Sequence, residues 1–160
     1  MKLDLDRTPA GASTLPVDAE IALEMGTGAP AAVRLQGELR VDHLESRVLV
    51  RGALRATGRA ECDRCLNPFD LGFDVPVDIL VFRDADAPAE TEDGQVLHQR
   101  IGELDLHAPL AEAVVLALPQ TRVCREDCRG LCPHCGIDWN EATCTCADAD
   151  HDPRWDGLPD

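Results

Sequence analysis

The sequence predicts an α+β chain: a mainly antiparallel β body, one or two short helices and a cysteine-rich module towards the C-terminal end. Three observations carry this prediction. Apolar and polar residues alternate in long runs before residue 82, the periodicity of a half-buried strand. One later segment switches to helical spacing. Six of the chain's cysteines then fall within residues 124–146.

The elements follow in order. "VDAEIALEM" (17–25) predicts a first strand, closed by the turn material "GTGAP". In "VRLQGELRVD" (33–42), Val33, Leu35, Leu39 and Val41 point one way and the polar residues the other. After a short turn at His43–Ser46, "RVLVRGALRATGRAE" (47–61) resumes the alternation. Val48, Val50, Leu54, Ala56 and Ala60 share one face, and Arg47, Arg51, Arg55 and Arg59 share the opposite one. Two such runs joined by a short turn predict an antiparallel hairpin. "FDLGFDVPVDILVF" (69–82) predicts a third long strand, with Pro76 marking a bulge or an edge. The acidic stretch 83–95 reads as a loop. A helix is expected over about 107–118, with Pro109 in its first turn and Pro119 ending it. The organisation is therefore a body over 1–121, a metal-binding module over 122–148 and an acidic tail over 149–160, with Trp155 as the tail's candidate anchor.

Composition narrows the function. The formal charge is −15, a field that repels nucleic acid and anionic membrane alike. Residues 34–65 are the exception, with seven Arg against five acids, a net +2. The longest apolar run, Ala113–Leu118, is too short to cross a bilayer. "MKLDLDRT" has no apolar stretch after its basic residue, so a cytoplasmic location is expected, where clustered thiols stay reduced.

Cysteines at 62, 65, 124, 128, 132, 135, 144 and 146 make two sets of four, the coordination number of structural zinc. "CPHCG" (132–136) has knuckle spacing: two intervening residues let both thiolates reach one ion, and Gly136 permits a positive φ. Its partners by spacing are Cys144 and Cys146. Cys62, Cys65, Cys124 and Cys128 would then staple the strand connection to the chain after the helix. Only six sizeable apolar residues follow position 121, too few to order that segment unaided. A structural zinc contributes about 10–16 kcal/mol to such a segment. One or two ions are expected.

Other thiol chemistries fit less well. Disulfides need an oxidising compartment. A thioredoxin-like pair belongs at a helix start, whereas "CDRCLNP" enters a turn. Catalytic zinc keeps an open position that an all-cysteine set closes. An iron–sulfur cluster is the other group that four thiolates hold. His134 and His151 lie close enough in sequence to replace a cysteine ligand.

Three stretches also carry a resemblance. "GRAECDRCLNPFD" (58–70), "LALP" (116–119) and "CREDCRGLCPHCGIDWNEATCTC…DPRW" resemble the YceD family of bacterial large ribosomal RNA subunit accumulation proteins, over about 60–160. Here "IDWN" follows the knuckle, with Trp139 where a Leu is common, a departure that bears on local packing. The resemblance implies a non-enzymatic role in the synthesis, processing or stability of large-subunit rRNA. The partner expected is a ribosomal assembly intermediate, either that rRNA or, as the acidic majority of the chain suggests, a basic ribosomal protein, with no membrane and no small-molecule substrate.

The candidate contact residues are Arg47, Arg51, Arg55 and Arg59, spaced about 13 Å apart along one strand face, with Arg64 at the knuckle. Arg34 or Arg40, and Arg122, Arg125 and Arg129, would extend them. On the bland alternative these arginines are a solvated face paired with Glu38, Asp42, Glu45 and the acidic loop, since no aromatic is interleaved for base stacking. Two other functional classes stay open: a thiol redox enzyme or sensor using Cys62 and Cys65, and a protein-interaction module without RNA contact.

Overall fold

Burial with a period of two runs along the long strands of the computed structural model, which describes residues 1–23, 29–83, 95–99 and 101–146. Strands β1 (Lys2–Asp4), β2 (Gly11–Ala22), β3 (Ala32–His43), β4 (Arg47–Glu61), β5 (Pro68–Phe82), β6 (Gln95–His98) and β7 (Glu103–Asp105) precede helix α1 (His107–Ala117). The larger sheet has the order β2-β3-β4-β5-β6. Its first four strands are antiparallel, and β6 runs parallel to β5. β1 and β7 form a separate antiparallel pair.

One face of the large sheet is apolar because every second residue is Val, Leu, Ile, Phe or Ala. Val33, Leu35, Val48, Val50, Leu54, Val75 and Ile79 are all essentially excluded from solvent. Each such side chain contributes about 1.5–3 kcal/mol. The alternation passes through two glycines on this inner face. Gly37 lies opposite Leu54, and Gly52 lies opposite Leu39. A β-carbon on either glycine would come within 3.1 Å or 3.0 Å of the facing leucine's Cδ2, so each glycine makes room for the leucine across from it. Helix α1 covers the core with Leu110 and Val114. Its first turn is held by the Asp105 carboxylate, which accepts the His107 N–H at 2.9 Å. That N–H, with the charged N-terminus behind it, keeps the Asp105 carboxyl below its usual range.

The sequence expectations hold for β3, β4, β5 and the helix, with three corrections. The first long strand, expected from 17, already begins at Gly11 and is described to Ala22, because Ser13 and Leu15 continue the parity of Val17 and pair with Val41 and Leu39; its expected end at 24–25 lies outside the described residues. Gln95, assigned to a loop, begins β6; residues 84–94 of that loop and the tail at 149–160, with Trp155, lie outside the described residues. β1 and β7 were not expected. They pair through Leu3 opposite Leu104. Pro76 sits opposite Ala53 in unbroken register, so it marks an edge and no bulge: among the described residues β5 gains its outer neighbour from Ile79 onward.

Candidate metal centres

The connection between β4 and β5 is a tight knuckle. The Leu66 N–H donates to the Cys62 carbonyl at 2.9 Å, and the Cys62 N–H donates to the Asn67 carbonyl at 3.0 Å. The chain builds the same frame a second time. The Gly136 N–H donates to the Cys132 carbonyl at 2.9 Å, and the Cys132 N–H to the Ile137 carbonyl at 2.8 Å.

The segment after α1 is drawn onto the first knuckle. The Asp63 N–H donates to the Arg122 carbonyl at 2.8 Å, while the Asp63 carboxylate accepts the Arg122 N–H at 2.6 Å and its Nη2 at 3.1 Å. Those donors, the backbone N–H first, hold the Asp63 carboxyl below its usual range. Arg64 fixes the next stretch by donating to the Cys128 carbonyl at 2.9 Å, and its own carbonyl accepts the Leu131 N–H at 3.1 Å. Gly130 passes so close that a β-carbon would lie 3.0 Å from that Arg64 oxygen.

Two thiol tetrads result. Cys62, Cys65, Cys124 and Cys128 form an inner set, and Cys132, Cys135, Cys144 and Cys146 an outer one; within each, all sulfurs lie within 4.8 Å of one another. In the inner set Cys62–Cys128 and Cys65–Cys124 are each 3.8 Å apart. Four sulfurs about 2.3 Å from one tetrahedral ion would be separated by about 3.8 Å. These are the two groupings that spacing suggested, and both are positioned to hold a metal ion.

The thiols within a set are far from equivalent. Burial pushes Cys62 up, but the backbone N–H groups of Cys124, Cys65 and Arg64 outweigh it and bring the thiol down to about 6. Cys124 is pushed up to about 12 by desolvation and by its thiol neighbours. In the outer set the Trp139 indole N–H, 3.4 Å from Cys144 Sγ, leads the groups that lower Cys144 to about 6. Cys146 rises to about 12, chiefly through Cys135. One sulfur ionises readily and the last resists, because several thiolates this close repel one another without a cation between them.

Asn140, which the sequence reading did not single out, ties the two sets together. It lies between Cys135 and Cys144, yet its Nδ2 reaches Cys128 Sγ of the inner set at 3.5 Å. Its Oδ1 accepts the Arg129 N–H at 2.9 Å and Arg125 Nη2 at 2.8 Å. Asp138 orients it, accepting the Asn140 N–H at 2.8 Å, and also accepts Asn67 Nδ2 at 2.9 Å from the first knuckle. The available signal was an Asx pair inside a cysteine loop, "DWN" (138–140), which marks a turn without naming what it holds.

The arginine stripe lies elsewhere, on the outward face of the sheet. Arg51, Arg55 and Arg59 stand directly opposite Asp78, Asp74 and Asp70 of β5 and pair with them at 3.0, 2.9 and 2.8 Å. For Arg51, Arg55 and Arg59 these aspartates take the place of the expected Glu38, Asp42, Glu45 and acidic loop; Asp42 does pair with an arginine, Arg40 of β3, at 2.9 Å, and residues 84–94 of the loop lie outside the described residues. Arg47, opposite Phe82, is exposed at the far end of the stripe, and Arg64 is committed to the Cys128 carbonyl.

Residues 50–160 match the family described as Large ribosomal RNA subunit accumulation protein YceD. The chain belongs to the YceD family. An uncharacterized protein of Mycobacterium tuberculosis (strain ATCC 25618 / H37Rv) is 35% identical over 127 residues, covering 76% of this chain and 58% of the relative. An uncharacterized protein of Mycobacterium leprae (strain TN) is 34% identical over 127 residues, covering 77% of this chain and 57% of the relative. The chain thus spans under two thirds of the length of these curated relatives. No solved structure matches it. The YceD match takes in β4 from Val50 onward, all of β5, α1 and both tetrads. Among the described residues no helix is long and apolar enough to cross a membrane.

Proposed function

We propose that this YceD chain is a non-enzymatic accessory factor in large ribosomal subunit biogenesis, with two structural zinc ions that fix its C-terminal module to the sheet. The observation that carries the reading is the inner tetrad, whose sulfurs stand at the spacing of ligands around one ion and come from both sides of α1. A polynuclear iron–sulfur cluster would hold its thiolates farther apart, because the cluster itself lies between them. Zinc takes four cysteines as a closed set, with no open position for substrate.

We infer the matching division of the chain: a β body with its helix over 1–121, a zinc module over 122–148 and an acidic tail over 149–160. Within an assembly intermediate we favour a basic ribosomal protein as the partner over rRNA. Three arginines of the stripe are already neutralised by Asp70, Asp74 and Asp78, while the chain as a whole carries −15, a charge that steers a basic partner inward. A redox role for Cys62 and Cys65 is disfavoured by their burial, at 0% and 4% exposure.

The test has two parts. Native mass spectrometry of protein purified without chelator should find two zinc ions per chain, and a metal-free folded chain would overturn the zinc assignment. Depletion in the source cell should lower large-subunit rRNA relative to small-subunit rRNA and be rescued by the wild-type chain but not by a Cys62→Ser, Cys65→Ser variant. An unchanged ratio would overturn the biogenesis role.

A further inference from the structure

The two tetrads present their sulfurs to solvent very differently. In the inner set Cys62, Cys65 and Cys128 are buried and Cys124 is half-buried. In the outer set only Cys132 is buried, while Cys135 and Cys146 are exposed. Hydrogen bonding divides the same way. Donors reach Cys62 from the Cys124 N–H at 3.3 Å and Cys128 from Asn140 at 3.5 Å, and one reaches Cys144 from Trp139 at 3.4 Å. Among the described residues no such N–H donor falls on Cys135 or Cys146, which meet the other thiols of their own set.

Charge separates them a third time. Four thiolates around a dication leave a net −2. The inner segments 62–65 and 122–128 balance Arg64, Arg122 and Arg125 against Asp63, Glu126 and Asp127, with Arg122 paired to Asp63 and Arg125 to Asp127. Residues 132–146 contain no Lys or Arg, and they add Asp138 and Glu141. Where a dication already keeps the thiols ionised, bonded N–H groups and nearby cations lower a thiolate's nucleophilicity, whereas exposure without either leaves it reactive.

We propose that the outer tetrad is a redox-modified zinc site, at which a peroxide oxidises Cys135 and Cys146 to a disulfide and releases the ion, while the inner tetrad keeps its own. The reaction balances with hydrogen peroxide as oxidant. One thiolate attacks a peroxide oxygen, breaking the O–O bond to give a sulfenic acid and hydroxide, which takes up a proton to become water. The second thiolate, its sulfur within 4.8 Å, attacks the sulfenic sulfur and expels a second hydroxide, again protonated to water. Two thiolates lose two electrons, the peroxide gains them, and zinc leaves a site stripped of two ligands. Cys62 and Cys65, the pair weighed earlier for redox chemistry, take no part.

This inference rests on the zinc assignment above, and the experiment separates the two. Metal is counted first on the intact chain as purified; finding none would remove the zinc assignment and this inference with it. With two ions present, hydrogen peroxide is added in the presence of a chromophoric zinc indicator. The expected record is one ion released about tenfold or more faster than the other. Peptide mapping at the end of the fast phase should show a Cys135–Cys146 disulfide, and dithiothreitol with added zinc should restore the second ion. Release of both ions at one rate, of the inner ion first, or of none overturns the inference and leaves the zinc assignment standing.

Discussion

Leu66 and Gly136 occupy the same place in two copies of one turn. Each follows the second cysteine of a knuckle, each donates its N–H to the first cysteine's carbonyl at 2.9 Å, and both are left-handed, with φ of 59° and 72°. Glycine takes that conformation freely, whereas a leucine strains against its own carbonyl by about 1–2 kcal/mol. Leu66 recovers little of this by packing, since it is 61% exposed. Leu66→Gly should therefore raise the stability of the metal-loaded chain by about 0.5–1 kcal/mol after the added freedom of the unfolded glycine is subtracted. Leu66→Ala, which keeps the strain, should not. Urea midpoints measured side by side decide it, and a loss of stability in the glycine variant would contradict the strain assignment.

Asn140 lies on the outer loop but should act on the inner site. Removing its side chain in Asn140→Ala deprives Cys128 of a donor and leaves the Arg129 N–H and the Arg125 guanidinium without their shared acceptor. Losing partners of this kind costs about 1–3 kcal/mol. Groups that hold a ligand from behind typically contribute about 10–100-fold to metal affinity. Competition with a chelator should show the inner ion weakened by that factor. If only the outer ion weakens, Asn140 is a local turn residue and nothing more.

How much of this was legible in the sequence depends on whether one residue or a pattern carried the signal. β3, β4 and β5 could be read because each alternates for a dozen residues or more, and Gly37 and Gly52 interrupt the parity without shifting it. β1, β6 and β7 span three or four residues, too short for any period to show, and exist through their neighbours. The outer cysteine grouping is readable because its ligand spacing is local, and the inner one follows as the four cysteines that remain. The shared face of the arginines is legible from their parity, but their partners are not, because partnership across β4 and β5 depends on a register that only the folded hairpin fixes.

Removing metal should separate the parts of the molecule. The β2–β5 sheet is held by an apolar face that owes nothing to the thiols, whereas Cys132 and the outer loop meet their surroundings through turn hydrogen bonds and sulfur. Chelation is expected to abolish amide protection over residues 122–146 while leaving that of Leu35, Val50 and Val75 intact. Hydrogen exchange with peptide resolution reads both at once. Global loss of protection would mean that the inner tetrad is needed by the sheet as well.

Acid should strip the ions steeply. In each empty tetrad one thiol ionises at about 6 and another not until about 12, so filling a site near neutrality displaces roughly two to three protons. By linkage, apparent affinity should fall by about a hundred- to a thousandfold per pH unit between about pH 8 and 6. The sign for the empty protein is the same. Cys62 is lowered to about 6 from an ordinary 9.0, so its contribution to stability is complete above pH 9 and is lost as pH falls through 6. Titration calorimetry in buffers of differing ionisation enthalpy counts the protons, and a count near zero would mean that the thiols are already ionised without metal.

The arginine ladder offers the sharpest separation between an RNA and a protein partner. Changing Arg51→Glu together with Arg55→Glu sets two carboxylates directly opposite Asp78 and Asp74. The ion pairs are exposed and worth little, so the fold should lose only about 1–2 kcal/mol through lost attraction and new repulsion. If these arginines tracked phosphates, the double reversal would abolish binding to large-subunit rRNA and flatten its salt dependence. With the guanidiniums engaged by β5, association with purified large-subunit precursor particles should instead persist, strengthened if anything by the added negative charge. Sedimentation with such particles at two salt concentrations reads the answer, and loss of binding in the variant would return the contact to RNA.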